Sequence, residues 1–188
     1  MNPLLKQLLF SKKRPIISDG FNRANNALTL GNADTGQAWQ ALSGTWGVSN
    51  GKAYVAVAGA VTSVCSIESG VSNCSVSADA TFGTYSGIVF RLSDSSNYVL
   101  ARISSDGLKL FTIAAGLPTE IGSCSFTAVI GTTYNIKVTA ISPNITVKLD
   151  GVERITAVSA FNSTTTKHGF RQLTNLDDKY DNFVVEAV

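Results

Sequence analysis

Carboxylates are the first residues to weigh for chemistry in this chain. Hydrolysis of a glycosidic bond needs two of them facing each other across a groove, and on a β scaffold both can come from one strand at period-two spacing. No E-x-D-x-E or E-x-D-x-x-E arrangement occurs. Asp79 is the one acid in its run, and Asp94, Asp106, Asp150, Asp177 and Asp178 fall in turn-like stretches where solvated carboxylates belong. His168 is the only histidine, and it reads as a packing or surface residue rather than the base of a triad. No residue is assigned a catalytic role, and the chain is expected not to be an enzyme.

Aromatic side chains come next, because a flat ring beside Asn, Asp or Arg can bind the face of another ring. Trp39, Tyr85 and Tyr98, with Tyr180, are the candidates for contact with a glycan, whereas Trp46 and Phe90 read as core. Cys65, Cys74 and Cys124 are odd in number and lack C-x-x-C spacing, so neither a disulfide framework nor a zinc site is signalled. A hairpin centred on Ser69-Gly70 would set Cys65 opposite Cys74. Free thiols are the expectation in a reducing cytosol, and Cys124 reads as a small buried hydrophobe.

The first seventeen residues differ from the rest. Asn2 and Pro3 suit a helix start, Leu4, Leu5, Leu8 and Leu9 share a helical face, and Lys12, Lys13 and Arg14 precede Pro15. Such a short helix is marginal unless Leu4, Leu5, Leu8, Leu9 and Phe10 are covered. Three covers compete: the chain's own sandwich, a neighbouring subunit of a large assembly, or a membrane surface. Docking onto a partner protein, through those apolar residues and the basic Lys12, Lys13 and Arg14, is the expectation. The apolar stretch is too short to span a bilayer, and a membrane partner is not expected. Its charges follow rather than precede it, the wrong order for a secretory signal, so synthesis in the cytoplasm without a signal peptide is expected.

These functional candidates need a scaffold, and the composition indicates one. The chain has 188 residues, only 15% of them charged. It is rich in Ser, Thr, Gly, Ala and Val, a profile of short strands and tight turns. Lys6, Lys12, Lys13 and Arg14 supply four of the fifteen basic residues, so residues 15–188 are slightly acidic and no nucleic-acid face is suggested. Fourteen strand-like runs are expected: 39–42, 45–49, 52–57, 61–67, 74–81, 86–92, 98–104, 108–114, 119–126, 133–142, 144–149, 152–156, 167–170 and 180–187. Asn50-Gly51 and Asp150-Gly151 are two-residue hairpin signals. In 86–92, Ile88 and Phe90 face one way and Gly87, Val89 and Arg91 the other. Residues 22–37 form the longest irregular stretch, expected to wrap an edge or make contacts.

Four segments, in order, resemble the concanavalin A-like lectin/glucanase superfamily, in its laminin-G-like, 3-keto-disaccharide-hydrolase-like branch. They are Ser18-Asp19-Gly20-Phe21-Asn22-Arg23; Gly44-Thr45-Trp46-Gly47-Val48 with Asn50-Gly51-Lys52-Ala53-Tyr54; Gly87-Ile88-Val89-Phe90-Arg91-Leu92 with Asn97-Tyr98-Val99-Leu100; and Gly169-Phe170-Arg171 leading to Tyr180-Asp181-Asn182-Phe183-Val184-Val185. The resemblance implies an all-β fold: a two-sheet antiparallel jelly-roll sandwich over residues 18–188 behind a helical or extended arm, residues 1–17. It also sets the first and last strands side by side, so that Asp19 and Asp181 would seed a structural calcium site; alternatively Asp19 caps a turn and Asp181 pairs with Arg23 or Arg171. No other cofactor is implied.

Similar sandwiches occur among phage tail and capsid-associated proteins. The resemblance therefore implies a non-enzymatic virion structural protein, a decoration or tail module, oligomeric with other capsid or tail subunits. Its alternative is a carbohydrate-binding module for host glycans, and a glycoside-hydrolase-like enzyme stands third.

Overall fold

In the computed structural model the described residues are 14–173 and 177–188. They form fifteen strands: β1 (Ile17–Asp19), β2 (Trp39–Ser43), β3 (Thr45–Ser49), β4 (Lys52–Val57), β5 (Ser63–Glu68), β6 (Cys74–Thr81), β7 (Ser86–Asp94), β8 (Asn97–Ser104), β9 (Gly107–Ala114), β10 (Leu117–Cys124), β11 (Thr133–Ile141), β12 (Asn144–Leu149), β13 (Val152–Val158), β14 (Lys167–Gln172) and β15 (Lys179–Ala187). One sheet runs β13-β12-β11-β6-β15-β4-β3, with β1 also pairing β15; the other runs β10-β9-β8-β7-β14-β5-β2. Every pairing between strands is antiparallel, so this is an all-β, jelly-roll-like sandwich.

Local chemistry sets the joints. Asn50 and Gly51 have φ of 51° and 69°, and Asp150 and Gly151 of 50° and 78°, the left-handed pairs that a two-residue hairpin of matching twist requires. Residues 22–37 wrap an edge, as expected: Asn26 and Val48 exchange backbone hydrogen bonds of 2.8 and 2.9 Å, which cover the outer edge of β3. Between the sheets, Phe170 stacks on Tyr180 at 4.2 Å and on Trp39 at 5.3 Å, and meets Phe183 edge-on at 5.2 Å. All four rings are buried, so this stack joins β14 and β2 of one sheet to β15 of the other.

Two expectations about pairing are corrected. Residues 69–73 cross between the sheets rather than closing a hairpin, so Cys65 pairs with Phe170 and Ala41 while Cys74 pairs with Ala140 and Ala187. All three cysteines are free, with Cys65 and Cys74 buried and Cys124 half-buried against the core. Arg91 does not share a face with Val89. It sits at φ 50° in a register shift, is fully buried, and donates to the Ser159 carbonyl at 2.8 Å. Ile17, expected at the end of the arm, opens β1 by pairing with Val185.

Candidate functional site

The strands of the seven-stranded sheet alternate as their period requires, with Ile88, Phe90, Val99, Ala101, Ile103, Leu108 and Leu110 in the main core. Their neighbours point to the opposite face. There Val64, Val89, Leu92, Tyr98, Leu100, Phe111 and Ile113 form a second buried cluster, separate from the core. A sheet face directed away from its own sandwich is normally polar, so something must cover this one.

Basic side chains supply much of that cover. The Arg102 guanidinium carbon lies 4.8 Å from the centroid of the Phe111 ring and 5.0 Å from that of Tyr85. Such a side chain buries its stem on the rings and keeps its charge available. Arg171 acts on the Tyr98 hydroxyl as a neighbouring cation, while burial, the larger effect, pushes that phenol above its ordinary range. Lys109 bridges Asp106 at 2.7 Å and Glu120 at 3.5 Å along the β9–β10 border.

Between the arginines lies a glycine, with the Leu100 side chain leaning over it. Gly87 pairs with Arg102 on β8 and with Arg171 on β14. A Cβ on Gly87 would come within 2.7 Å of Cδ1 of Leu100, whose side chain leans across the glycine, and one on Gly169 within 2.2 Å of the Cys65 carbonyl oxygen, so β14 approaches β5 too closely for a side chain.

The other sheet's last strand fixes this face from below. Asp178, just before β15, accepts hydrogen bonds from the amides of Gly83 (2.7 Å), Thr84 (3.2 Å) and Tyr85 (3.2 Å) and from the Ser86 hydroxyl (2.5 Å). The Tyr180 hydroxyl accepts from the Gly87 amide and donates to the Arg171 carbonyl, both at 3.1 Å. Tyr85, Gly87 and Arg171 are thereby positioned by two buried side chains.

At one end of the same sheet an open cleft of about 260 Å³ is lined by Glu68, Leu92, Ser93, Thr165, Thr166 and Lys167. Burial works against the Glu68 charge, but the Thr166 hydroxyl, the Gly70 amide and Lys167 outweigh it and hold the carboxyl below its ordinary value.

Of the aromatics expected to meet a glycan, Tyr85 is half-buried on this face and Tyr98 is part of its buried floor. Trp39 is placed elsewhere: it is 7% exposed, stacked in the core, and donates its indole N–H to Asp19 at 2.8 Å. Tyr180 is fully buried. Arg102, Lys109 and Glu68 were not singled out from the sequence, and Arg171 only as a possible partner of Asp181. Their signal is the period-two alternation of Tyr98, Leu100 and Arg102 and of Lys167, Gly169 and Arg171.

The expected calcium pair does not fit a cation. Asp19 accepts from Trp39 and from the Phe21 amide, and the Arg23 guanidinium engages both its oxygens, where an ion would have to bind. Asp181 stands opposite Asp79 rather than an arginine, and burial, with Asp79 and Asp19 nearby, raises its carboxyl. Among the described residues no group of three or more His, Cys, Asp or Glu side chains is placed to hold a metal ion.

Nucleophilic and acid–base chemistry finds little support in the geometry. His168 Nε2 lies 3.4 Å from Cys74 Sγ and 3.2 Å from the Val71 carbonyl. Burial lowers this histidine to about 4 and raises Cys74 to about 11, so at neutral pH both are uncharged and no thiolate forms. Gly47-Val48-Ser49-Asn50-Gly51 matches the pattern G-x-S-x-G, but it closes the β3–β4 hairpin instead of a strand-to-helix turn. Asp106 and Glu120 share Lys109, and hydrogen bonds from Lys109 and Ser104 hold Asp106 at about 2, opposite to what a general acid needs.

Leu4, Leu5, Leu8, Leu9, Phe10, Lys12 and Lys13 lie outside the described residues; Arg14 is exposed. Among the described residues no helix is long and apolar enough to cross a membrane.

No protein-family model matches the sequence. No curated protein does either. Solved structures do resemble the fold. The carbohydrate-binding module CBM66 from Bacillus subtilis is similar with a TM-score of 0.69 at 21% identity, over 79% of this chain and 95% of that one. A Bacillus licheniformis β-glucanase matches with 0.58 at 12% identity, over 91% and 97%. The Caenorhabditis elegans galectin LEC-6 matches with 0.51 at 12% identity, over 64% and 89%. The chain thus has the concanavalin A-like jelly-roll fold of lectins and glucanases, a scaffold that carries both binding and hydrolysis.

Proposed function

We propose that this protein is a non-catalytic carbohydrate-recognition module whose ligand lies on the outer face of the seven-stranded sheet. The observation that carries the reading is the half-buried Tyr85 ring against Arg102 on that face, backed by a second buried aromatic and aliphatic cluster. Rigid rings with a few fixed polar groups beside them are what a sugar-sized ligand needs. The fold likeness to CBM66 and a galectin supports the same reading. The test is a glycan array read with the wild type and with Tyr85→Ala. Loss of signal in the variant at unchanged fold supports the assignment; equal binding removes the face from it. Incubation with β-glucan oligomers and analysis of the products tests the non-catalytic part, since any cleavage would make the chain an enzyme.

The sequence of residues 1–17 favours a second, compatible role: display of this module on a particle, virion shell or tail, through the apolar and basic arm. Burial of Leu4, Leu5, Leu8, Leu9 and Phe10 at about 1.5–3 kcal/mol each would drive attachment, and multiplicity would add avidity. Co-sedimentation of a chain lacking residues 1–17 with particles from the native source tests it, because undiminished binding defeats the docking role.

A further inference from the structure

The open cleft of about 260 Å³ at one end of the seven-stranded sheet carries charges of both signs. Glu68, Lys167 and Leu92 are register partners across β5, β14 and β7, so they share the outer face with the second buried cluster, to which Leu92 belongs. Leu92 is fully buried at the base of the cleft, and the groups open to a ligand are Glu68, Ser93, Thr165, Thr166 and Lys167. Glu68 Oε1 accepts from the Gly70 amide at 2.9 Å, and the carboxylate takes a second hydrogen bond from the Thr166 side chain, which leaves part of its acceptor capacity unused. The Thr165 hydroxyl donates to the Asn162 carbonyl at 2.9 Å and keeps its oxygen to accept. Lys167 is near enough for its charge to act on Glu68, yet among the described residues it is in no ion pair. An acceptor and a donor of opposite charge, neither spent on the other, are complementary to a ligand that has both functions and no net charge.

We infer that this cleft holds a single neutral sugar ring, anchored by two adjacent hydroxyls, one donating to the Glu68 carboxylate and the other accepting from the Lys167 ammonium. The inference rests on the carbohydrate-recognition reading above and names the class of sugar and its anchors. The volume falls short of the roughly 300–1,000 Å³ of pockets for drug-sized ligands, which leaves room for one ring. A uronic acid would bring a carboxylate to Glu68, and an amino sugar an ammonium to Lys167; like charges about 4 Å apart in water cost about fivefold in affinity. Tyr85 lies at the opposite end of β7, about 20 Å away, so a monosaccharide in the cleft leaves that ring untouched.

Backbone amide NMR of the full chain during titration with galactose, glucose and mannose, each beside its uronic acid and its 2-amino derivative, tests this. At least one neutral sugar is expected to shift the amides of Gly70, Ser93, Thr166 and Lys167 saturably, and its two charged counterparts to bind about fivefold more weakly. Glu68→Gln should weaken the neutral sugar about tenfold, through loss of a charge-assisted hydrogen bond, and remove the discrimination against the uronic acid. Lys167→Met should weaken it similarly and remove the discrimination against the amino sugar. If one variant does not fold, the other carries the test. Tighter binding of either charged sugar overturns the inference, as does an affinity unchanged in both variants. Shifts elsewhere on the outer face with the cleft silent, or no shift at all while the array shows binding that depends on Tyr85, overturn the inference and leave sugar recognition standing. Binding of no sugar here and of no glycan on the array overturns recognition itself, and the inference with it.

Discussion

Asp178 accepts a 2.5 Å hydrogen bond from the Ser86 hydroxyl, and the same carboxylate gathers the amides of Gly83, Thr84 and Tyr85. One buried acid on the approach to β15 thus shapes the entry to β7 on the opposite sheet. Asp178→Ala would leave these donors buried without an acceptor, at a cost of about 3 kcal/mol or more. Asp178→Asn should cost less, because its side-chain carbonyl still accepts. Urea denaturation of both variants checks the order, and glycan affinity should fall in each as Tyr85 loses its anchor.

His168 makes stability depend on pH. Burial sets its folded value at about 4, below the ordinary 6.5, so the unfolded chain takes up a proton first as pH falls. The full contribution is present above about pH 6.5 and is lost progressively toward pH 4, by a total of about 3 kcal/mol. Denaturation midpoints measured across that window should show this slope, and His168→Gln should flatten it.

Asp181 should show the opposite sign. Its carboxyl is raised by burial and by Asp79 and Asp19, so its charged form opposes folding at neutral pH, and that opposition fades as pH falls through its folded value. Asp181→Asn keeps the oxygen that accepts the Asn182 amide. It should stabilise the protein at pH 7 by less than about 1 kcal/mol, given how much of the site is solvated. The gain should disappear in acid, as thermal melts at both pH values would show.

Trp39→Phe separates core from face. The variant keeps a ring in the Phe170 stack but removes the N–H donated to Asp19, with an expected loss of about 1–3 kcal/mol for the buried acceptor. Sugar affinity should be unchanged. A matching fall in affinity would mean that the indole reaches the ligand.

Much of the sandwich can be read from the chain. The runs 45–49, 52–57, 74–81 and 144–149 coincide with β3, β4, β6 and β12. Asn50-Gly51 and Asp150-Gly151 allow few other backbone paths, and strict alternation leaves one register that buries the apolar side. Ser69-Gly70 shows the limit of that logic. A turn signal says that the chain reverses, not which sheet it enters, so the crossing from β5 to β6 resembled a hairpin.

The candidate face was less legible for a related reason. Apolar residues on both sides of β7 and β8 look like a strand buried between layers, and nothing local says that Phe111 is covered by Arg102 from the neighbouring strand. Arg91 and Arg171 look alike in sequence, each following Phe. A register shift turns Arg91 inward, while Arg171 pairs with Gly87 and Val64 and stays outside.

Backbone amide NMR during titration with a glycan that binds on the array tests the central claim most directly. Shifts confined to Ser66, Glu68, Gly87, Leu100, Arg102, Phe111, Lys167, Gly169 and Arg171 are the result expected of a ligand on the outer face of the seven-stranded sheet. Shifts at Ser77, Lys137 and Thr139 on the eight-stranded sheet, with those residues silent, would contradict it.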